Sequence, residues 1–499
     1  MPARFLKGLR LKLLSEEVIN YKKLKLLCGL EIHQQLNTNK KLFCDCSTAM
    51  QEREPTAVIK RKLHPVASEL GAVDVAAQYE FLRDRTFNYQ IFKNEVCLVE
   101  LDEEPPHPLN QEALEVALQI AMMLNCEIPN EIHIMRKTVI DGSNTGGFQR
   151  TTIVGLNGRM KYKDREIAIT SISLEEDAAA IVKDENGNIT YRLNRLGIPL
   201  VEIGTGLLEN FSPEEVQDIA FNIGMLCRST GKVKRGIGTI RQDVNISVRG
   251  GKRVEIKGVQ ELGLLARVVE LEVKRQLSLP KVVEETRTVN EDGTTKYTRP
   301  LPGSARMYPE TDIQPIVVQK EFLGKLKKNL PELWTKKLVR LQKNYKLSED
   351  LANQMIRSDY LELFEKIVGK TRAPASIVAS TFISTLKDLE KRERVDASKL
   401  TDAHYADLFV NVAKGKIVKE AIPKIIKFLS EKPHATATAA IKYLDLETLS
   451  AVELKKIIDD ILKTPGLTYE KSVGIVMSKV RGRVEAEVVM REVKRMLKK

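Results

Sequence analysis

Glu31 and His33 stand two residues apart in a run, residues 27–36, whose Leu27, Leu30 and Ile32 mark it as a β-strand. Side chains alternate along a strand, so a carboxylate and an imidazole at this spacing project from one face. Alone, the pair reads as an exposed polar face or as two ligands of a site. The pattern recurs downstream. Glu202 sits inside the apolar residues 199–203, Asp243 and Asn245 lie at i and i+2 in residues 241–246, and Glu255 and Lys257 do so in residues 254–257. Glu175, Glu176 and Asp177 follow the strand-like residues 167–172. An unpaired charge inside a strand costs on the order of several kcal/mol, so Glu202 needs a cation. Salt bridges or solvated faces explain any one of these pairs but strain to explain the set. Carboxylates with a single imidazole and little thiol suit a hard divalent ion, Mg²⁺ or Mn²⁺.

Arg136 and Lys137 lead into residues 139–148, a loop of small donors with Ser143, Asn144 and Thr145. Such a loop is either a phosphate cradle or a plain surface turn. Val368-Gly-Lys-Thr371 lacks the earlier glycine of a P-loop, and residues 236–241 lack the third glycine of a dinucleotide loop. ATP, if bound, is therefore held by an uncommon fold. Cys44, Cys46 and Cys97 have no fourth thiol nearby in the sequence, so zinc is not expected.

These residues need a sheet to position them. Asn157-Gly158, Asn186-Gly187 and Asp292-Gly293 are hairpin signals between β-compatible runs. Repeated hairpins imply a largely antiparallel sheet. Two helices interrupt it. One covers residues 111–126; the other is capped by Ser212, with Pro213 at its first position, Glu215 completing a capping box, a Phe211–Val216 staple, and a stop at Gly231. After about Lys320 glycines thin out, and Ser348, Pro374, Thr401 and Pro423 punctuate successive helices. The polar, small-residue stretch 431–438 reads as a linker.

The expected class is therefore α+β. A mainly antiparallel sheet domain (23–319) follows a basic extension (1–22), and an all-helical domain (320–430) precedes a small helical tail (431–499). The 499 residues carry a net charge of +13, which suits a polyanionic partner as well as it suits a lysine-rich solvated surface. The tail places Lys479, Arg481 and Arg483 among few acids, a candidate RNA contact. No apolar stretch reaches the length of a membrane span, the charges of residues 4–12 break up any signal-peptide core, and six scattered cysteines fit a reducing compartment. A cytoplasmic location is expected.

Several ordered motifs together carry a resemblance. They are Cys-Gly-Leu-Glu-Ile-His-Gln-Gln-Leu at 28–36, Cys-Leu-Val-Glu-Leu-Asp-Glu-Glu-Pro-Pro-His at 97–107, and Ile-Asp-Gly-Ser-Asn-Thr-Gly-Gly-Phe-Gln-Arg at 140–150. Glu-Glu-Asp at 175–177, Ala-Arg-Met-Tyr-Pro-Glu-Thr-Asp at 305–312 and Gly-Ile-Val-Met-Ser-Lys-Val-Arg-Gly-Arg-Val at 474–484 complete them. In these motifs the chain resembles the GatB/GatE family of tRNA-dependent amidotransferase components, and the archaeal GatE type most closely.

The resemblance implies a cradle-shaped catalytic domain, a helical domain and a YqeY-like tail that binds tRNA. It implies an enzyme that uses ATP to phosphorylate the side-chain carboxylate of misacylated Glu-tRNA(Gln). Ammonia from a partner protein then displaces the phosphate to give Gln-tRNA(Gln), with glutamine as the amido donor. The implied partner is the asparaginase-like GatD component, or the amidase-type GatA component, in a hetero-oligomer expected to be a heterotetramer. Alternatives are a non-catalytic tRNA-binding protein and a GatB-like enzyme that also accepts Asp-tRNA(Asn). Carried over onto this sequence, His33, Glu176 and Glu202 hold Mg²⁺. Glu31 and Asp243, with Glu176 shared, form a second cation site for the transferred phosphate, Mn²⁺ being the alternative there. Glu175 joins the catalytic set. Lys137, Ser143, Asn144 and Lys257 are assigned to ATP phosphates. One departure stands out: the GatE type carries a large insertion between segments matching Glu285-Thr-Arg287 and Arg299-Pro-Leu-Pro-Gly303, whereas here residues 288–298 suffice for a hairpin.

Overall fold

The computed structural model describes residues 19–497 apart from 52, 68–70, 186, 249–250, 302, 304–306 and 465–466. Most of the N-terminal extension, and Lys498 and Lys499 of the tail, thus lie outside the described residues. The chain divides into two compact units, Met1–Glu332 and Leu333–Lys499.

The first unit is built on one large sheet. In chain order its strands are β1 (Leu27–Gln35), β2 (Met135–Thr138), β3 (Phe148–Tyr162), β4 (Arg165–Glu176), β5 (Pro199–Thr205), β6 (Ile240–Ser247), β7 (Val254–Val259), β8 (Glu285–Val289), β9 (Thr295–Pro300) and β10 (Met307–Pro309). Side by side they run β9-β8-β7-β6-β1-β5-β4-β3-β2-β10, and the two-residue strand Leu208–Glu209 adds to β1. All neighbours but one are antiparallel. β7 and β8 are parallel, because the chain between them forms helix Leu265–Ser278 and returns on the same side. A smaller four-stranded sheet flanks this one. In it Ala180–Glu185 pairs with Asn188–Arg192 around Gly187 at φ 80°, and Thr86–Ile91 runs parallel to Asn188–Arg192.

Alternation along β1 separates core from chemistry. Leu30 and Ile32 are fully buried on the face of β1 that packs against helix Pro213–Ser229, while Glu31 and His33 project from the opposite face. Helix Pro213–Ser229 has the expected capping box, Phe211 and Val216 are both buried beside it, and Gly231 follows its end at φ 67°.

Two local expectations fail. Asn157-Gly158 is not a hairpin; it lies within β3, and the turn comes at residues 163–164. Asn157 adopts φ 51°, and a Cβ on Gly158 would collide with Cys126 Sγ and meet the Leu124 carbonyl at 2.8 Å. The dipeptide lets the end of helix Gln111–Met123 sit against the strand. The stretch 431–438 is not an extended linker either. Thr436 caps helix Ala437–Tyr443, and Thr438 and Asn411 are held by Asp407.

The second unit is wholly helical among its described residues. Ser348, Pro374 and Thr401 stand at helix N-caps and Pro423 in a first turn, as the punctuation indicates. Its C-terminal part has its own core of Leu454, Ile458, Val476, Val480, Val489 and Val493. No helix among the described residues is long and apolar enough to cross a membrane.

Candidate active site

Strand register sets the site. His33 on β1 lies opposite Glu202 on β5 and Arg241 on β6, and Glu202 lies opposite Ser173 on β4. Two residues back along β1, Glu31 faces Asp243. Directly opposed residues share a face, so these rows converge on a cavity of about 430 Å³. Glu31, His33, Lys137, Glu175, Glu202, Asp243 and Lys257 line it, as do Ser143 and Asn144 from the loop after β2.

The acids form two groups. In the first, ligand atoms of His33, Glu175 and Glu202 lie within 4.8 Å of one another; in the second, those of Glu31, Asp243 and Glu255 do. Each group has one lysine. Lys137 Nζ is 2.7 Å from Glu175 and 3.7 Å from Glu202, and Lys257 Nζ is 3.0 Å from both Asp243 and Glu255. Gln149 and Thr151 also donate to Glu175, at 3.1 and 2.7 Å.

The proton equilibria follow from these neighbours. Burial works against charge on Glu202, but Lys137 and the His33 hydrogen bond at 3.1 Å overcome it and hold the carboxyl well below its usual range. Burial likewise opposes Asp243, which Lys257 nonetheless pulls down to about 2. On His33 burial disfavours the imidazolium, yet Glu202 and Asp243 raise its affinity for a proton. Glu31 is raised by burial, with Lys257 opposing. His33 Nδ1 is buried with no hydrogen-bond partner. A buried imidazole whose Nε2 lies 3.1 Å from Glu202, grouped with Glu175, fits a cation ligand set, and the second trio fits an oxygen-ligated ion.

Glu176 is not brought to this site. It follows Glu175 directly and therefore points to the other face of β4, where the Arg150 backbone N–H donates to it at 3.2 Å and the Arg150 guanidinium lies at 3.5 Å. Burial raises its proton affinity, opposed by Arg150. Glu175 occupies the place assigned to Glu176 beside His33 and Glu202, and Glu255 supplies the third carboxylate near Glu31 and Asp243. Glu255 was visible as the i, i+2 partner of Lys257; that it completes the trio depends on the pairing of β7 with β6.

In the loop after β2, Ser143 donates through its N–H and Oγ to Asp141 at 3.0 and 2.6 Å, and Asn144 is buried with Oδ1 unpartnered. Gly142 has φ 92°, and the Phe87 ring fills the place of a Cβ. Tyr191 and Tyr89 hydroxyls donate to the Asp141 and Gly142 carbonyls, each at 2.9 Å, so the small sheet holds the loop from behind.

A second cluster lies elsewhere in this unit. Cys44, Cys46 and Cys97 gather with the Glu100 carboxylate, the fourth group that thiol counting alone did not find. Hydrogen bonds from Cys44 and Cys46 hold the Cys97 thiol far below its usual range. Three thiols and a carboxylate are a donor set of the kind zinc takes, although Glu100 is also paired with the buried Lys41 at 2.9 Å.

Sequence profiles match on both sides of this architecture, that of the GatB/GatE catalytic domain over residues 26–324 and that of the GatB domain over 362–497. The chain belongs to the GatB/GatE family. Among curated relatives, the GatE component of glutamyl-tRNA(Gln) amidotransferase from Methanocaldococcus jannaschii is 36% identical, with 94% of this chain and 98% of the relative aligned. Its counterparts from Aeropyrum pernix and Saccharolobus solfataricus are each 36% identical, over 96% of this chain and 99% of their own lengths. The first of these alignments spans 619 positions against 499 residues, so that GatE relative carries at least 120 residues with no counterpart here. At the place where the insertion was expected, β8 and β9 are joined by a tight turn with Gly293 at φ 86°.

Proposed function

We propose that the cavity phosphorylates the side-chain carboxylate of Glu-tRNA(Gln) with ATP and then exchanges the phosphate for ammonia delivered by a partner protein. The observation that carries this reading is the pair of acid groups on one sheet face, each with its lysine, the first of them completed by the buried His33. His33, Glu175 and Glu202 would hold one divalent cation, and Glu31, Asp243 and Glu255 a second, Mg²⁺ in the first and Mg²⁺ or Mn²⁺ in the second. When bound, the ions offset the repulsion between phosphate and carboxylate and keep attacker and leaving group in line. Lys137 and Lys257, already paired with these carboxylates, add positive charge to the cavity, and Ser143 and Asn144 line it. The buried walls limit competing hydrolysis of the acyl phosphate.

In this reading a helical domain (320–430) precedes a tail domain (431–499) that binds tRNA through Lys479 and Arg481. The ammonia-producing partner is an asparaginase-like GatD or an amidase-type GatA protein in a hetero-oligomer in the cytoplasm, and the thiol cluster with Glu100 holds structural zinc. The absence of an insertion favours testing Asp-tRNA(Asn) beside Glu-tRNA(Gln). The experiment is incubation with each aminoacyl-tRNA, ATP, Mg²⁺ and each candidate partner, followed by identification of the esterified amino acid. His33→Ala and Glu202→Gln are expected to abolish amide formation while tRNA binding persists. Wild-type turnover in both variants sinks the site assignment. Binding of tRNA without ATP consumption, with either partner present, supports the non-catalytic alternative.

A further inference from the structure

Arg299 joins the two ends of the sheet over the cavity. It lies on β9, the first strand in the spatial order, yet its guanidinium is 3.5 Å from Asp141, which follows β2 near the opposite end. Strand register fixes its direction as well. Asn245 pairs with Glu255, Glu255 with Thr286, and Thr286 with Arg299, so Arg299 projects on the face that carries the second acid group. Thr286 Oγ1 donates to Glu255 at 2.9 Å, which ties the row together.

Among the cations that line the cavity, Lys137 and Lys257 lie within hydrogen-bond distance of carboxylates, and Arg241 is 3.5 Å from Asp177 with its side chain 30% exposed. Arg299 has one ion pair among the described residues, at the long distance of 3.5 Å, although its side chain is only 15% exposed. Asp141 is held firmly for this contact. Its Oδ1 accepts from Ser143, its carbonyl accepts from Tyr191, and Oδ2 remains for Arg299. A planar fork of donors, mostly shielded from water and loosely paired, matches the oxygens of a phosphoryl group better than a point charge does.

Building on the function proposed above, we propose that Arg299 contacts the phosphoryl group in transfer and that Asp141 is its positioning residue. In that step a carboxylate oxygen of the substrate forms a bond to the γ-phosphorus. The bond from that phosphorus to the bridging oxygen breaks, and ADP leaves with the electron pair. Negative charge spreads over the equatorial oxygens, where a fixed guanidinium stabilises it most.

The test is single-turnover ADP formation, dependent on Glu-tRNA(Gln), by the full chain assembled with its partner. Arg299→Ala is expected to lower the rate roughly 10²-fold, with tRNA affinity within about twofold of wild type. Arg299→Lys keeps the charge without the fork and recovers part of the rate, whereas Arg299→Gln does not. Asp141→Asn slows the step less, and the double variant Asp141→Asn with Arg299→Ala is no slower than Arg299→Ala alone, since Asp141 acts through Arg299. Arg299→Ala at the wild-type rate, additive losses in the double variant, or equal rates for the Lys and Gln variants overturn the inference. Should Arg299→Ala fail to fold, the Lys and Gln variants decide. Glu202→Gln run in parallel separates the two proposals. If it is inactive while Arg299→Ala is fully active, only the Arg299 role falls; if both are fully active, the reading of the site falls with it.

Discussion

Adjacent glutamates with opposite fates show how finely this site depends on single positions. Glu175 reaches Lys137, Thr151 and Gln149 in the cavity, while Glu176, one residue on, is buried behind the sheet against Arg150. Glu175→Gln should therefore lower ATP-dependent amide formation by roughly 10²-fold or more, and it should also lower the unfolding midpoint, since the buried Lys137 loses its nearest counter-charge. Glu176→Gln keeps an acceptor for the Arg150 N–H and should leave activity within about tenfold of wild type while shifting the unfolding midpoint. The opposite ranking in a turnover assay would return Glu176 to the cation site. The run of three acids was evident from the chain, and so was the strand that delivers them. Which acid faces which way depends on where β4 stops and how it registers with β5, and that is set by partners far along the chain.

At the scale of elements, one edge of the large sheet is clamped by Glu310. Arg136 of β2 donates to it at 2.7 and 2.6 Å and Arg150 of β3 at 2.9 Å, with both guanidinium groups near the Phe148 ring. Burial opposes ionisation of Glu310, but the arginine hydrogen bonds hold its carboxyl below the usual glutamate range. A depressed carboxyl contributes stability that is present above its unfolded pKa and is lost as pH falls through the folded one. Glu310→Gln should cost about 3 kcal/mol at neutral pH, because two partly buried cations lose their counter-charge. The gap between wild type and variant should close on acidification below the glutamate range. Denaturant unfolding of both proteins along a pH series checks this, and a gap that stays constant in acid excludes the clamp as its source.

For the molecule as a whole, the two units divide catalysis from tRNA binding in the reading proposed here, and the basic residues of the tail are not equivalent. Lys479 and Arg481 are exposed. Arg483 is instead committed to Asp445 at 2.8 Å and to the Glu447 carbonyl at 3.1 Å, which pins the chain before helix Ala451–Leu462. Lys479→Ala and Arg481→Ala should each weaken tRNA binding and reduce the slope of log K against log salt by about 0.7 to 1. Arg483→Ala should chiefly loosen the tail. Filter binding across a salt series reads the first two effects, and an unchanged slope would remove those residues from the RNA surface. The amino-acid sequence by itself determined the α+β class, the helix boundaries marked by Ser212, Ser348 and Thr401, and the residue types of the cavity, because caps, turns and alternation are local properties. Tertiary structure alone decided that Glu175 rather than Glu176 faces His33, that Glu255 completes the second acid group, that Glu100 joins the three thiols, and that Arg299 reaches Asp141. Each of those outcomes depends on register or closure between segments distant in the chain, and no local pattern encodes the pairing of one strand with another.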